Sequence, residues 1–278
     1  MKLDARKSLK VLEDEWKNCT RCELGQHREE VGGEFVPGEG PRRRMMFIGE
    51  GPGTAEERHG RPFIGRSGEL LRALLEKLGV MDHAYITNLV PCRSCVPLTD
   101  ADGKTLTYTR RGITYTKFID QPPTPPQIQA CIERLHEEIY LVDPLIIVSL
   151  GGTAASALTG RPITITREAG NTRHITIPGL GSRPVFTEKR RMWRRVVKGK
   201  EVKPVTRNTV RYLLLPTFHP AYILRKGPDL DSRSDLKKLF AHIKEASETF
   251  EMMAGYYNLQ LDLDINHNLT PEDLEEDE

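Results

Sequence analysis

The 278-residue chain contains no apolar run long enough to cross a bilayer and no secretory leader, so a soluble, intracellular, cytoplasmic protein with no membrane partner is expected. Aromatic residues are scarce at 6%, and the hydrophobic fraction of 38% supports one core at this length without a lipid-facing surface. Internal repeats and low-complexity linkers are absent, which excludes a solenoid and points to one domain over residues 1–255. The remaining stretch, 256–278, has no lysine or arginine and reads as an acidic, disordered tail. Cysteine is limited to 5 residues, and in a reducing compartment these suit metal ligation or free thiols better than disulfides.

What the chain has in quantity is charge of both signs, with a formal net of only +2. Because the acidic residues crowd into the tail, the body is basic. Arg42-Arg43-Arg44, Arg110-Arg111, Lys189-Arg190-Arg191 and Arg194-Arg195 are the densest groups. A body of that kind suits a polyanionic partner. It suits a merely solvated surface equally well.

The periodicity alternates strands and helices. Leu3 to Trp16, Gly68 to Leu78, Gln127 to Leu141, Gly151 to Leu158 and Ser232 to Met253 read as helices. Met45 to Glu50, Ala84 to Leu89, Pro144 to Leu150 and Tyr212 to Leu215 read as buried strands, apolar on both faces. The expected architecture is α/β, a three-layer α/β/α sandwich around a mainly parallel four-stranded sheet. Two polar segments, about 96–121 and 165–211, read as β-hairpin excursions, with Asp102-Gly103 as the turn signal in the first.

Three sequence features carry chemistry. The run Gly49-Glu50-Gly51-Pro52-Gly53 follows a buried strand, where open sheets place ligands and where glycine lets backbone come close to them. Cys19 and Cys22 have the C-x-x-C spacing of a chelate, as do Cys92 and Cys95, while Cys131 stands alone on a helix. Four thiolates hold either a tetrahedral zinc ion or an iron–sulfur cluster. From spacing, the two pairs together or Cys19, Cys22, Cys92 and Cys131 are both open sets. Finally, Pro216-Thr217-Phe218-His219-Pro220 closes a buried strand with a histidine.

In order along the chain, these features resemble the iron–sulfur uracil-DNA glycosylases, the family 4 branch of that superfamily. The matching residues begin with Cys19-x-x-Cys22, Gly49 to Gly53 with Glu56-Glu57, and Gly60-Arg61-Pro62-Phe63-Ile64-Gly65. Thr87 to Arg93, Pro122 to Cys131, Leu150 to Ala155 and Pro216 to Arg225 follow. The resemblance spans about Thr20 to Phe250 and implies a [4Fe–4S] cluster, rather than zinc, held by Cys19, Cys22, Cys92 and Cys131. Cys95 becomes an extra, and the gap to Cys131 is lengthened by the inserted 96–121 segment.

The implied activity is removal of uracil from DNA to leave an abasic site. A base inside a duplex is out of reach and has to be flipped into a pocket. Phe63 would stack on it, and the Asn88 amide would pair with its O4 and N3. His219 would meet O2 as negative charge develops there. Glu50, with Glu56 in support, would orient water or shield the cationic sugar, and Gly51, Pro52 and Gly53 would keep the loop tight. Arg66, Ser67 and Arg225 are candidate DNA contacts, and Tyr222, Ile223 or Leu224 candidate wedges. No histidine lies between Cys92 and Cys131, so covalent trapping of the product from that loop is not expected. The expected partner is uracil-containing DNA, with repair or replication proteins as further candidates and a monomer as the favoured state. The alternative is a catalytically weak member of the same fold that binds DNA or a replication protein; a zinc-stabilised nucleic-acid binder is a third reading.

Overall fold

The computed structural model describes residues 8–178, 196–197, 200–201, 209–227, 230–256 and 270–274. In chain order the elements are α1 (Leu9–Trp16), α2 (Glu23–Val31), β1 (Met45–Gly49), α3 (Thr54–His59), α4 (Arg66–Lys77) and β2 (Ala84–Asn88). The inserted segment follows with β3 (Cys95–Pro97), β4 (Thr107–Arg110), β5 (Ile113–Thr116) and β6 (Phe118–Asp120). Next come α5 (Pro125–Val142), β7 (Ile146–Leu150), α6 (Gly152–Thr159), α7 (Ile165–Glu168), β8 (Arg173–Pro178), β9 (Val196–Val197) and β10 (Lys200–Glu201). The order closes with β11 (Thr209–Thr217), α8 (Pro220–Lys226) and α9 (Leu230–Tyr256).

The main sheet runs β2-β1-β7-β11-β8, with its first four strands parallel. Each of the expected parallel strands is present. The reading of 165–211 as a pure excursion is corrected, because β8 pairs antiparallel with β11 from Arg173↔Leu214 to Pro178↔Thr209 and forms the edge of the sheet. Among the described side chains of β8 only Ile175 and Ile177 are buried, so the strand has a half-polar sequence that hides among basic neighbours. Four short helices, α2, α3, α7 and α8, were also absent from the expectation. The polar composition of α2 leaves little apolar stripe to detect, and α3 is one and a half turns long.

Alternation along β1 sorts the core. Met45 and Phe47 point into a cluster with Leu71 and Leu75 of α4 and with Phe240, Ile243 and Phe250 of α9. Met46 and Ile48 point the other way, against Leu135 and Ile139 of α5 and Ala154 and Leu158 of α6. Helices therefore cover both faces, as the three-layer expectation requires. Each such side chain contributes roughly 1.5–3 kcal/mol by leaving water. The helix expected over Leu3–Trp16 is described from Leu9, capped by the Ser8 hydroxyl accepting from Val11 N at 3.2 Å, and it docks Leu12 and Trp16 on Leu141.

Register fixes the working edge. Gly49 pairs with Asn88, Ile48 with Ser149, and Leu150 with Thr217, so the carboxyl ends of β1, β2, β7 and β11 finish level. The chain steps from β1 outward to β2 and then returns to place β7 on the other side of β1. That reversal is a topological switch point, where strands part and leave a crevice.

The inserted segment turns at the expected Asp102-Gly103, between the antiparallel-bridged Thr99 and Thr105, and turns again further on. Its regular ladder, Thr107↔Thr116 to Arg110↔Ile113, closes at Arg111-Gly112, where φ is 53° and 79°. Two successive positive φ angles are what a two-residue hairpin turn requires. The Asp102-Gly103 turn is the smaller of the two, and in it the Asp100 carboxylate accepts from Asp102 N at 3.1 Å and Lys104 N at 2.9 Å. Of the tail, residues 270–274 include a 3₁₀ turn, Pro271–Leu274, with Glu272 3.7 Å from Lys237 of α9; the remainder lies outside the described residues. Among the described residues no helix is long and apolar enough to cross a membrane.

Candidate active site

The crevice begins at Gly49, the last residue of β1. A Cβ built there would lie 2.5 Å from Asn88 Oδ1 and 2.5 Å from Phe63 Cζ. Only glycine lets the amide and the ring meet over the strand end. On the other side the Phe63 ring faces the His219 imidazole, with centroids 5.9 Å apart and planes at 31°. Phe63, Asn88 and His219, distant in sequence, thus form one neighbourhood.

Phe63 is held in an unfavourable backbone state, with φ at 53°. Such a conformation costs about 1–3 kcal/mol and persists only when its surroundings fix it. Here they do. Arg72 of α4 donates Nε to Phe63 O at 2.8 Å and Nη2 to Pro62 O at 2.9 Å, and is itself bound to Glu39 at 2.6 Å. From below, the Glu56 carboxylate accepts from Ile64 N at 3.0 Å, Gly65 N at 2.8 Å and Gly53 N at 3.1 Å. Burial works to raise the Glu39 carboxyl, but Arg61 and Arg72 hold it below the ordinary carboxylate range.

Asn88 is 2% exposed, and its Oδ1 has no hydrogen-bond partner. A buried polar atom left open costs about 1–3 kcal/mol, so it marks a place where a partner is missing. The strand that carries it is well secured from behind. Arg134 of α5 donates to Asn88 O at 2.7 Å and Leu89 O at 3.1 Å, and pairs with Glu138 at 2.6 Å. Glu138 also accepts from Tyr85 Oη at 2.9 Å and Thr87 Oγ1 at 3.1 Å. Sequence reasoning missed this network. Its one signal was the presence of Arg134 and Glu138 on the apolar face of α5. Ser149, fully buried at the end of β7 with its Oγ unpartnered, was also missed; a hydroxyl in the apolar run of residues 145–150 was the available sign.

His219 is the N-cap of α8, and its Nδ1 accepts from Ala221 N at 3.1 Å. That bond fixes the neutral tautomer with the proton on Nε2. Desolvation, with help from the Arg225 charge, pushes the imidazole down to about 4. At neutral pH the ring is therefore an uncharged Nε2–H donor.

The two carboxylates named from sequence differ. Glu56 is 7% exposed and occupied by backbone amides, so the structure gives it a positioning task. Glu50 is partly exposed in the loop after β1, and its carboxylate has no partner among the described residues. Gly51 and Pro52 complete that loop, with Gly51 close to the Val90 side chain. Arg66 is exposed at the start of α4 beside the half-buried Ser67. On α8, Arg225 is exposed and Leu224 is 37% exposed. Ile223 is corrected as a wedge candidate because it is buried in the core. Tyr222 packs flat on Phe218 at 5.9 Å with Lys226 over its ring at 5.0 Å.

The thiols separate into two environments. Cys92 and Cys131 are buried in the α5-side core, with Cys22 packed against it. Burial pushes Cys92 up to about 11 and Cys131 up to about 12, and each also feels the charges of Cys19 and Cys22. Buried Arg28 lies 3.8 Å from Cys92 Sγ. Cys95 is elsewhere, 3.3 Å from His27 Nε2, where burial raises its thiol and the neighbouring charges are Arg93, Glu57 and Asp120. Among the described residues no group of three or more His, Cys, Asp or Glu side chains is already spaced to hold a metal ion.

Fold and site together define a class: an open α/β protein whose strand-end crevice gathers a ring, an amide and an uncharged imidazole. The profile of the Uracil DNA glycosylase superfamily matches residues 37–244, and the chain belongs to that superfamily. Among its relatives is the type-4 uracil-DNA glycosylase of Thermotoga maritima, 32% identical over 85% of this chain and 95% of the relative. The type-4 uracil-DNA glycosylase of Sulfurisphaera tokodaii is 30% identical over 87% and 86%. That of Saccharolobus solfataricus is 30% identical over 86% of each.

Proposed function

We propose that the protein excises uracil from DNA by hydrolysis and leaves an abasic site. The observation that carries this is the convergence of the Phe63 ring, the unpartnered Asn88 amide oxygen and the neutral His219 at the strand-end crevice. A flipped uracil stacks on Phe63. Its N3–H donates to Asn88 Oδ1 and its O4 accepts from the Asn88 amide nitrogen. Cytosine presents the opposite donor–acceptor order, which leaves buried groups unpaired and disfavours it.

The bond between the sugar C1′ and the base N1 breaks, and its electron pair leaves with uracil, spread onto O2. His219 donates Nε2–H to that oxygen, which stabilises the anion without a proton transfer. A water adds its oxygen to C1′ and its proton passes to Glu50 and then to solvent. Glu56, Arg72 and Arg134 act through Phe63 and Asn88, which they position. Arg66, Ser67 and Arg225 meet phosphates at the rim, and Leu224 supplies the apolar wedge on α8. Tyr222 backs that wedge through its packing on Phe218.

We further propose that Cys19, Cys22, Cys92 and Cys131 hold a [4Fe–4S] cluster, with Cys95 outside it. The set fits such a group: all donors are thiols, Cys92 and Cys131 are buried, and Arg28 and Arg134 offset thiolate charge. A bound cluster would tie the α1–α2 turn, the loop after β2 and α5 together, close to Arg134 and therefore to the Asn88 strand. Its chemistry there is a cross-link.

The activity is tested by incubating the purified protein with single- and double-stranded oligonucleotides containing one uracil, followed by alkali. Cleavage at the uracil is expected, and none on either substrate refutes the activity. The cluster is tested by colour and metal content: a brown protein with broad visible absorbance and bound iron is expected, and a colourless protein containing zinc contradicts it.

A further inference from the structure

The segment from Cys95 to Asp120 plays no part in the chemistry above, yet it is bolted to the pocket. At its base β3 and β6 pair from Cys95↔Asp120 to Pro97↔Phe118. Arg93, just before it, donates Nε to Asp120 Oδ1 at 2.6 Å and approaches Glu57 Oε2 of α3 at 3.4 Å. The Asp120 carboxylate also lies beside Gly53, 3.9 Å from where a Cβ would stand. On the opposite side, the Phe118 ring packs on His27 of α2 at 4.7 Å. The base therefore moves with the pocket rim.

Beyond the base, β4 and β5 run out as a two-stranded ribbon. Tyr108 and Tyr115 stand opposite one another in the ladder, with rings stacked at 5.3 Å and 24°. Both remain 41% exposed, an unusual state for a stacked aromatic pair. Around them, residues 103–119 carry Lys104, Arg110, Arg111 and Lys117 and no carboxylate. Lys104, Arg111 and Lys117 are exposed. The flanking ladder pairs, Thr107 with Thr116 and Thr109 with Thr114, turn to the opposite face of the ribbon, whereas Lys117, two residues from Tyr115, shares the tyrosine face. An exposed aromatic platform flanked by cationic side chains matches what single-stranded nucleic acid requires: a surface for a base face, with charges for its phosphates.

We propose that the Thr107–Thr116 ribbon is an arm that binds single-stranded DNA flanking the pocket. One unpaired base stacks on the Tyr108–Tyr115 pair, and Lys104, Arg111 and Lys117 meet the adjoining phosphates. The inference rests on the glycosylase reading for the identity of the nucleic acid, but its test does not depend on excision.

The test is the affinity of the full-length protein for uracil-free oligothymidine, read by fluorescence anisotropy across a salt series. For Tyr108→Ser/Tyr115→Ser, binding about tenfold weaker than wild type is expected, in line with the loss of one base stack. Uracil release at saturating enzyme from a trinucleotide too short to reach the arm should be unchanged. A second variant, Arg111→Glu/Lys117→Glu, keeps the aromatic pair, guards against an unfolded ribbon, and should flatten the salt dependence of binding. Unchanged affinity and unchanged salt slope overturn the proposal, and a protein retained by the wild-type arm but not by the variants would then identify the other kind of occupant. Wild-type protein that binds oligothymidine through the arm yet never releases uracil would refute the glycosylase reading alone.

Discussion

The front and the back of the crevice are built on opposite rules. Behind it, polar groups are matched: Arg134 and Glu138 pair and grip β2, and Glu56 satisfies three backbone amides in two loops. In front, groups of the same kinds are left open: Asn88 Oδ1 is buried without a partner and Glu50 has none among the described residues. The contrast separates scaffold from chemistry better than residue type does. Two glutamates six residues apart find different surroundings, one holding a strained loop and the other left without a partner among the described residues.

The comparison breaks most visibly if front and back variants behave alike. Glu50→Gln should lower the single-turnover excision rate by about 10²–10⁴-fold with little change in melting temperature, since no native contact is lost. Next, His219→Ala should cost about 10²–10³-fold by removing the donor to O2. It should also cost some stability through the lost cap on α8, so its rate loss and its melting shift belong together. Glu56→Gln sharpens the contrast by reversing the pattern. Its amide would point donors at Gly53 N–H or at the Ile64 and Gly65 pair, which costs about 1–3 kcal/mol in thermal unfolding. A smaller loss of rate, about tenfold, should follow as Phe63 loosens.

Arg134→Met tests the back alone. Removing one partner of a buried pair strands the Glu138 carboxylate and should destabilise by about 3–5 kcal/mol in denaturant titration. The smallest effect expected is that of pH. The His219 ring titrates near 4 in the folded protein against 6.5 for an ordinary histidine. The folded state therefore resists the proton: the contribution of this group is fully present above pH 6.5 and is lost as pH falls toward 4. The excision rate should show no His219 titration between pH 6 and 8. A titration near 6.5 that vanishes in His219→Ala would contradict the neutral-donor role.

Much of this was legible in the chain, and the exceptions have physical causes. The runs at 45–49, 84–88 and 146–150 are apolar on both faces and announce parallel strands. β8 does not, because an edge strand with one wet face needs only Ile175 and Ile177. Spacing alone could not choose between Cys92 and Cys95. Packing separates them, since Cys92 turns into the core with Cys131 while Cys95 turns to His27. The glycine-rich run marked the strand end where Phe63 and Asn88 meet, but the left-handed Phe63 and the clamp by Arg72 depend on contacts across the fold. Arg134 gave only the hint of a charged pair with Glu138 on the apolar face of α5; its hold on the carbonyls of Asn88 and Leu89 shows in no side-chain pattern.

The central claim is that the open amide of Asn88 reads a flipped uracil. Single-turnover release of uracil by Asn88→Ala, beside wild type at saturating enzyme, tests it most directly. A rate about 10²–10³-fold below wild type, with a melting temperature no lower than that of wild type, is predicted, because a pocket built to pair with a base loses that order of discrimination without its partner, while the buried open amide oxygen it removes stabilised nothing in the free protein. Excision by the variant at the wild-type rate would contradict the account.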